Sequence, residues 1–464
     1  MSKKIIYLLC SPGLGLIDSF IPLIHRLKKI NDIDVYFVFP EKSSLQVVEK
    51  DSQLFEISDL LLEGVIFKNY TDRWMFSSNL YMAKKMSNIS DIDKALSRLA
   101  VRLIKGKLSI YKILYLFGKI ILNIVRIKNR IKISVFYNNS IFVNKLDLFG
   151  NVDAILYDIT AENKTVNKEC LEYFKSNLKL SVFHGPAVRW LQRKSVGSHL
   201  LQDRSNTVVY THSPYETQGY LENFNIKSNN LVNTGIIRHD KEWIDFIINY
   251  KENSRIEPVF DKFVFLISRP ASPYSPPDRK RKYLEDINNL ICGELDRKIV
   301  IKPHPKEDID GLDGKMYVEV FGRNNYNKTW CYSNLHPIVL GNKCDFGISF
   351  NSCLSSDLIA LGKPTVEYLD LRELPLYDND NSLRDDEGYP VFAERYAKLV
   401  LSASNYKQFR RCIFDILDDY DNTMSALSNT YKKYYPREDK IINTVSNDIY
   451  KRILSAEKKQ NTLC

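Results

Sequence analysis

A chain of 464 residues, 44% hydrophobic and 26% charged, is too long for one ordinary core and too apolar for disorder, so two domains of about 150–250 residues each are expected. The formal net charge of +10 favours anionic partners, but the sequence carries no recognised nucleic-acid-binding module, and no partner of that class is expected. Repeats and low-complexity stretches are lacking.

The opening "MSKKIIYLLCSPG" has the outline of an export signal. Its apolar run is only six residues and Leu9 is not small, so it reads as a buried first strand. "KIIYLLC" (4–10) ends in the turn "SPGLG", which lacks the third glycine of a dinucleotide fingerprint. Helical spacing follows in "LIDSFIPLIHRLKKI", and "DVYFVFP" (34–40) is the next strand. Between Asp93 and Asp147 twelve Lys or Arg occur and no acidic residue. Such a basic stretch, mixed with Leu, Ile and aromatics, fits either an anionic membrane surface or the exposed face of an internal helix. No apolar run reaches about 18 residues, so no transmembrane helix is expected.

"DAILYD" (153–158), "LSVFHG" (180–185) and "TVVYTHS" (207–213) are further strands, and loops after such strands open at the carboxyl edge of a parallel sheet, where ligands bind. Asp158 and Glu162, in "LYDITAENK", could serve as base or nucleophile or be ordinary surface carboxylates. A charged, helix-like connector spans 241–258. A second series follows it: "KFVFLIS" (262–268), "KIVIKPH" (298–304), "CDFGISF" (344–350) and "KPTVEYLD" (363–370), after which the pattern is helical from about residue 400. The expected fold class is therefore α/β: an N-terminal Rossmann-like domain over 1–240, a linker over 241–258, a C-terminal Rossmann-like domain over 259–420, and C-terminal helices with a polar tail over 421–464 able to cross back.

His304 ends a strand between two prolines, which restrict the backbone on both sides and suit an imidazole held for a phosphate; a buried structural histidine fits the spacing equally. Lys302 and Lys306 add positive potential, although alternation can point them elsewhere. Ser352, Ser355 and Ser356 precede or open a helix, where backbone N–H groups and hydroxyls favour an anion. An ordinary serine cap followed by Asp357 fits the same residues. A second "HP", His336-Pro337, reads as a turn. The eight cysteines lack zinc spacing and read as reduced thiols of a cytoplasmic protein.

In order, "FHGPA" (183–187), "TGIIRHD" (234–240), "FLISRP" (265–270), "IKPHPKE" (301–307) and "SFNSCLSSDLIALGKP" (349–364) resemble the GT-B glycosyltransferases. The likeness is to the branches that use cytidine nucleotides: capsule and lipopolysaccharide transferases taking CMP-Kdo or CMP-sialic acid, and the CDP-glycerol glycerophosphotransferases. It implies two Rossmann-like domains facing a central cleft, with a nucleotide-sugar donor as co-substrate and a glycan or glycolipid acceptor. It also implies a donor phosphate held by His304, Ser352, Ser355 and Ser356, with Arg269 on donor charge and His184 as base. No DxD-type metal site stands out, so metal-independent transfer at the cytoplasmic face is expected, with no further cofactor. Pro186-Ala187 and Phe350-Asn351 depart from the glycerophosphotransferase pattern and favour a sugar as the transferred group.

A membrane role for the basic stretch predicts that liposome binding requires anionic lipid and weakens as salt screens the charges. Flotation assays over a salt series check this; equal binding to neutral liposomes at high salt contradicts it.

Overall fold

The computed structural model describes residues 3–87, 152–185, 204–250 and 258–463, interrupted by short gaps such as 69–73, 162–166, 172–177 and 436–439. The basic stretch 94–146, Glu162 and His184 lie outside the described residues.

The N-terminal sheet contains β1 (Lys4–Leu9), β2 (Ile33–Phe39), β3 (Gly64–Lys68), β4 (Trp74–Ser77), β5 (Ala154–Tyr157), β6 (Lys179–Val182), β7 (Thr207–Thr211) and β8 (Leu231–Asn233). Their spatial order is β4-β3-β2-β1-β5-β6-β7-β8, parallel throughout except for antiparallel β4. Burial on both faces explains the near-continuous apolar runs of its strands. Alternation sends Ile6 and Leu8 into one core and Tyr7 and Leu9 into the other.

The second sheet contains β9 (Val264–Ile267), β10 (Ile299–Lys302), β11 (Trp330–Tyr332), β12 (Gly347–Ser349), β13 (Thr365–Tyr368) and β14 (Leu401–Ala403), all parallel, in the order β11-β10-β9-β12-β13-β14. Counted from its own first strand this is the 3-2-1-4-5-6 order of the Rossmann fold, and the order reverses between β9 and β12. Gly347 keeps the next helix close: a Cβ there would lie 2.3 Å from Leu358 Cδ1. The two-domain α/β expectation therefore holds. Strands β3, β4, β8, β11 and β14 were not expected, and the three-residue ones among them are too short to show a period.

The C-terminal helices do cross back. Helix Ile441–Leu463 places Ile441, Ile442, Val445, Ile449 and Ile453 in the N-terminal core, and Tyr210 Oη donates to Asp448 at 2.9 Å. Helix Lys241–Asn249, at the start of the expected linker, buries Trp243, Ile244 and Ile247 in that same core. None of the described helices is long and apolar enough to cross a membrane.

Between the domains runs a buried polar seam. Asp357 Oδ1 accepts from Arg238 Nε at 2.9 Å and meets His239 Nε2, while Asp18 Oδ2 lies 3.6 Å from Arg238 Nε. Lys302 Nζ pairs with Asp51 at 3.2 Å. His336 corrects the sequence reading of a turn: it is 1% exposed, its N–H donates to Gln53 Oε1 and its Nε2 meets Asp18 Oδ1, both at 3.0 Å. In its neutral form the ring also caps the following helix, Nδ1 accepting from Ile338 N–H. Burial alone would depress the His336 pKa, but the charges of Asp18 and Asp51 outweigh it and the pKa is raised from 6.5. Burial likewise opposes ionisation of Asp357, yet Arg238 and His239 pull its pKa down to about 2.

Removing one partner of such a pair leaves a buried charge uncompensated, so Asp357→Ala is expected to destabilise by about 3–5 kcal/mol. The pH dependence has two limbs. The stabilisation from Asp357 is present above its unfolded pKa of 3.8 and is lost as pH falls toward 2. That from His336 is present below 6.5 and is lost as pH rises through its elevated folded pKa. Melting curves of wild type and Asp18→Asn across pH 3–9 check this: the variant is expected to lose the alkaline limb, and an unchanged profile contradicts the assignment.

Candidate functional site

The order reverses between β9 and β12, the place at which open α/β sheets form a ligand crevice, and the loops after β9, β10 and β12 lie at that carboxyl edge. These three strands are neighbours, so Arg269, His304 and Ser352, far apart in sequence, reach one edge. Arg269 Nη1 donates to the Asn351 carbonyl at 2.6 Å, joining the first and third loops. Its guanidinium lies over the Tyr274 ring, 5.6 Å from the centroid. Asn351 is held at φ 71°, a left-handed conformation that a non-glycine residue adopts at a cost.

His304 Nδ1 accepts from the Lys306 N–H at 3.1 Å. A ring nitrogen that accepts carries no hydrogen, so Nε2 carries the proton and is the donor. Burial, then the positive charges of Arg269, Lys306 and Lys280, push the pKa of His304 down to about 4. At neutral pH the ring is an uncharged hydrogen-bond donor among cations. An arriving anion reverses that field.

The other expected residues divide. Ser352, partly exposed, accepts from Leu354 N–H at 3.3 Å. Ser355 and Ser356 are each 1% exposed, and Ser355 Oγ faces Ser349 Oγ at 3.5 Å. Their hydroxyls point into the protein here, so Ser352 alone of the three is presented at the loop. Lys302 is committed elsewhere: besides Asp51, its Nζ donates to the carbonyls of Leu335 at 2.7 Å and Asn334 at 3.4 Å, as alternation along β10 dictates. Asp158 ends β5, at the reversal between β1 and β5 of the other sheet. It is buried, and its Oδ1 accepts from both the N–H and the hydroxyl of Thr160, at 2.8 and 2.7 Å. A groove of about 1140 Å³ lies away from all of these, beside β14 and the helices Tyr406–Asp418 and Tyr420–Tyr434.

Sequence reasoning missed Glu307, which accepts from the His304 backbone N–H at 2.6 Å, although it stands within the quoted "KPHPKE". It placed Asp357 in the first helical turn, where the structure has it, and missed that this carboxylate also closes the domain seam. No group of three or more metal-ligating side chains occurs among the described residues.

No family model and no curated protein matches the chain. Solved structures do. A putative UDP-N-acetylglucosamine 2-epimerase from Listeria monocytogenes aligns over 99% of this chain and 97% of its own, with TM-score 0.52 and 11% identity. The UDP-GlcNAc 2-epimerase from Neisseria meningitidis, bound to UDP-GlcNAc, aligns over 97% and 100%, with TM-score 0.50 and 11% identity. The wall teichoic acid polymerase TagF aligns over 98% and 90%, with TM-score 0.50 and 12% identity. At these identities the likeness is one of fold, and it agrees with the expected GT-B architecture.

If His304 meets a phosphate, His304→Ala weakens nucleotide binding about 10- to 150-fold, the worth of a charge-assisted contact, and leaves nucleoside binding nearly intact. In wild type the His304 pKa, near 4 without ligand, rises on phosphate binding. Phosphate affinity therefore grows as pH falls through the bound-state value. Calorimetry of CMP against cytidine and NMR titration of the imidazole check both; equal losses for the two ligands, or an unmoved pKa, contradict the assignment.

Proposed function

We propose that the chain is a GT-B glycosyltransferase that binds a nucleotide-activated sugar at the β9/β12 crevice and transfers the sugar to a growing surface glycan. The observation that carries this reading is the convergence of Arg269, His304 and Ser352 on three adjacent carboxyl-edge loops. Arg269 supplies permanent positive charge for the leaving phosphate and His304 an oriented N–H donor. The N-terminal domain orients the acceptor and presents the base: His184, Asp158 or Glu162. For the donor we propose a cytidine nucleotide of Kdo or a related acid sugar, a choice supported by the sequence motifs and by the departures at Pro186-Ala187 and Phe350-Asn351.

Two other readings have specific support. The likeness to TagF favours a CDP-glycerol or CDP-ribitol phosphotransferase. The near-complete overlap with UDP-GlcNAc 2-epimerases favours an epimerase needing no acceptor. Products separate the three: a glycosidic bond with release of CMP supports sugar transfer, a phosphodiester supports the phosphotransferase, and conversion of UDP-GlcNAc alone supports the epimerase.

Under the leading reading, His184→Ala lowers turnover by about 10²–10⁴-fold, the usual worth of a general base, with nucleotide affinity retained, and activity survives chelation of divalent metal. Single-turnover assays with EDTA check this. Near-normal turnover transfers the role to Asp158 or Glu162, tested by Asp158→Asn and Glu162→Gln.

A further inference from the structure

We propose that Glu307 is the positioning residue of the phosphate grip, a buried carboxylate that fixes the turn carrying His304 and, through it, the imidazole. This rests on the reading that His304 meets a donor phosphate. Four donors converge on Glu307, which is 4% exposed. Its Oε2 accepts from the His304 backbone N–H at 2.6 Å. Its Oε1 accepts from Ser268 Oγ at 3.0 Å, Tyr317 Oη at 2.6 Å and Lys280 Nζ at 2.7 Å. Ser268 Oγ and Tyr317 Oη also face each other, and with one hydrogen apiece the two hydroxyls make two of these three contacts at a time.

The far end of the turn is tied in the same way. Asp313 Oδ2 accepts from the Asp308 N–H at 3.0 Å, and its Oδ1 accepts from Lys280 Nζ at 3.0 Å. One ammonium thus holds two carboxylates, and each carboxylate holds one end of the segment 304–308. Pro303 and Pro305 restrict the backbone but leave the orientation of the His304 amide and ring unspecified. Glu307 fixes the amide and the Lys306 N–H fixes Nδ1, so the direction of Nε2–H follows from two hydrogen bonds within one turn. A carboxylate is costly to bury. Placing it on the amide of this histidine, with its own cation, gives the loop a reference point that survives the arrival of a ligand.

The test is a double-mutant cycle on the full chain, read by calorimetry with CMP, UMP, cytidine and uridine. Glu307→Gln keeps the shape but offers one carbonyl oxygen to four donors and leaves Lys280 unbalanced. Glu307→Asp keeps the charge and withdraws the oxygen from the His304 amide, which covers the case in which the glutamine variant does not fold. Either variant is expected to weaken binding of the monophosphates about tenfold, the worth of a hydrogen bond to a charged group. It is expected to leave the nucleosides unchanged and to cost nothing further in the His304→Ala background. In the NMR spectrum the His304 ring should lose its single Nε2–H tautomer. Equal losses for nucleoside and nucleotide, or losses that add to those of His304→Ala, overturn the positioning role alone. Unchanged monophosphate affinity in His304→Ala, or no binding of any of the four probes to wild type, overturns the phosphate reading and this inference with it.

Discussion

The ion pairs of Asp357 with Arg238 and His239 decide how the two halves of the molecule meet. These groups are buried, and a buried charge is tolerable only with its partner in place. Asp18 with His336 and Asp51 with Lys302 repeat the arrangement along the same seam. Acid and base come from opposite domains in each pair, so opening the cleft would strand charges on both faces at once. An apolar seam would slide with less penalty. This one defines a register.

The seam also reaches the loops at the carboxyl edge of the second sheet. Lys302, paired across it, stands two residues before His304. Asp357 stands in the first turn of the helix that follows Ser352. Each of the two loops therefore continues directly from an element anchored in the partner domain, and the third, carrying Arg269, is tied to the serine loop through the Asn351 carbonyl.

What the sequence revealed follows from which interactions are local. The buried strands β1, β9 and β10 are apolar runs bounded by proline, glycine or polar residues, and their existence, parallel class and carboxyl edges were legible from that pattern. The placement of His304 at a carboxyl edge followed from the same strands, whereas Arg269 entered only through the family resemblance. The seam was not legible, because its pairs join residues on opposite domains: Asp18 to His336, Asp51 to Lys302, Arg238 to Asp357. His336-Pro337 looks like a turn locally and serves as a helix cap locally; the second role of its ring depends on a carboxylate 318 residues away. Lys302 and the two buried serines show the complementary error. A residue type suited to phosphate was placed beside the site by sequence, while strand alternation and helix rotation turned it inward.

The charge at the crevice is divided between a permanent cation and a conditional one. Arg269 contributes a guanidinium, whereas His304 is held neutral by burial and by its cationic neighbours. A further full charge beside Arg269, Lys306 and Lys280 would cost solvation and mutual repulsion, and the neutral ring avoids both. On the proposed reading, an entering phosphate compensates the same cations, and the pressure against protonation falls. On that reading the Nε2–H donates to an oxygen whose charge grows as the bond to the leaving phosphate breaks, while Nδ1 keeps its contact with the Lys306 N–H. If His304 meets a phosphate, its turn must be rigid, since a ring free to rotate would offer the acceptor nitrogen to an oxygen that needs a donor.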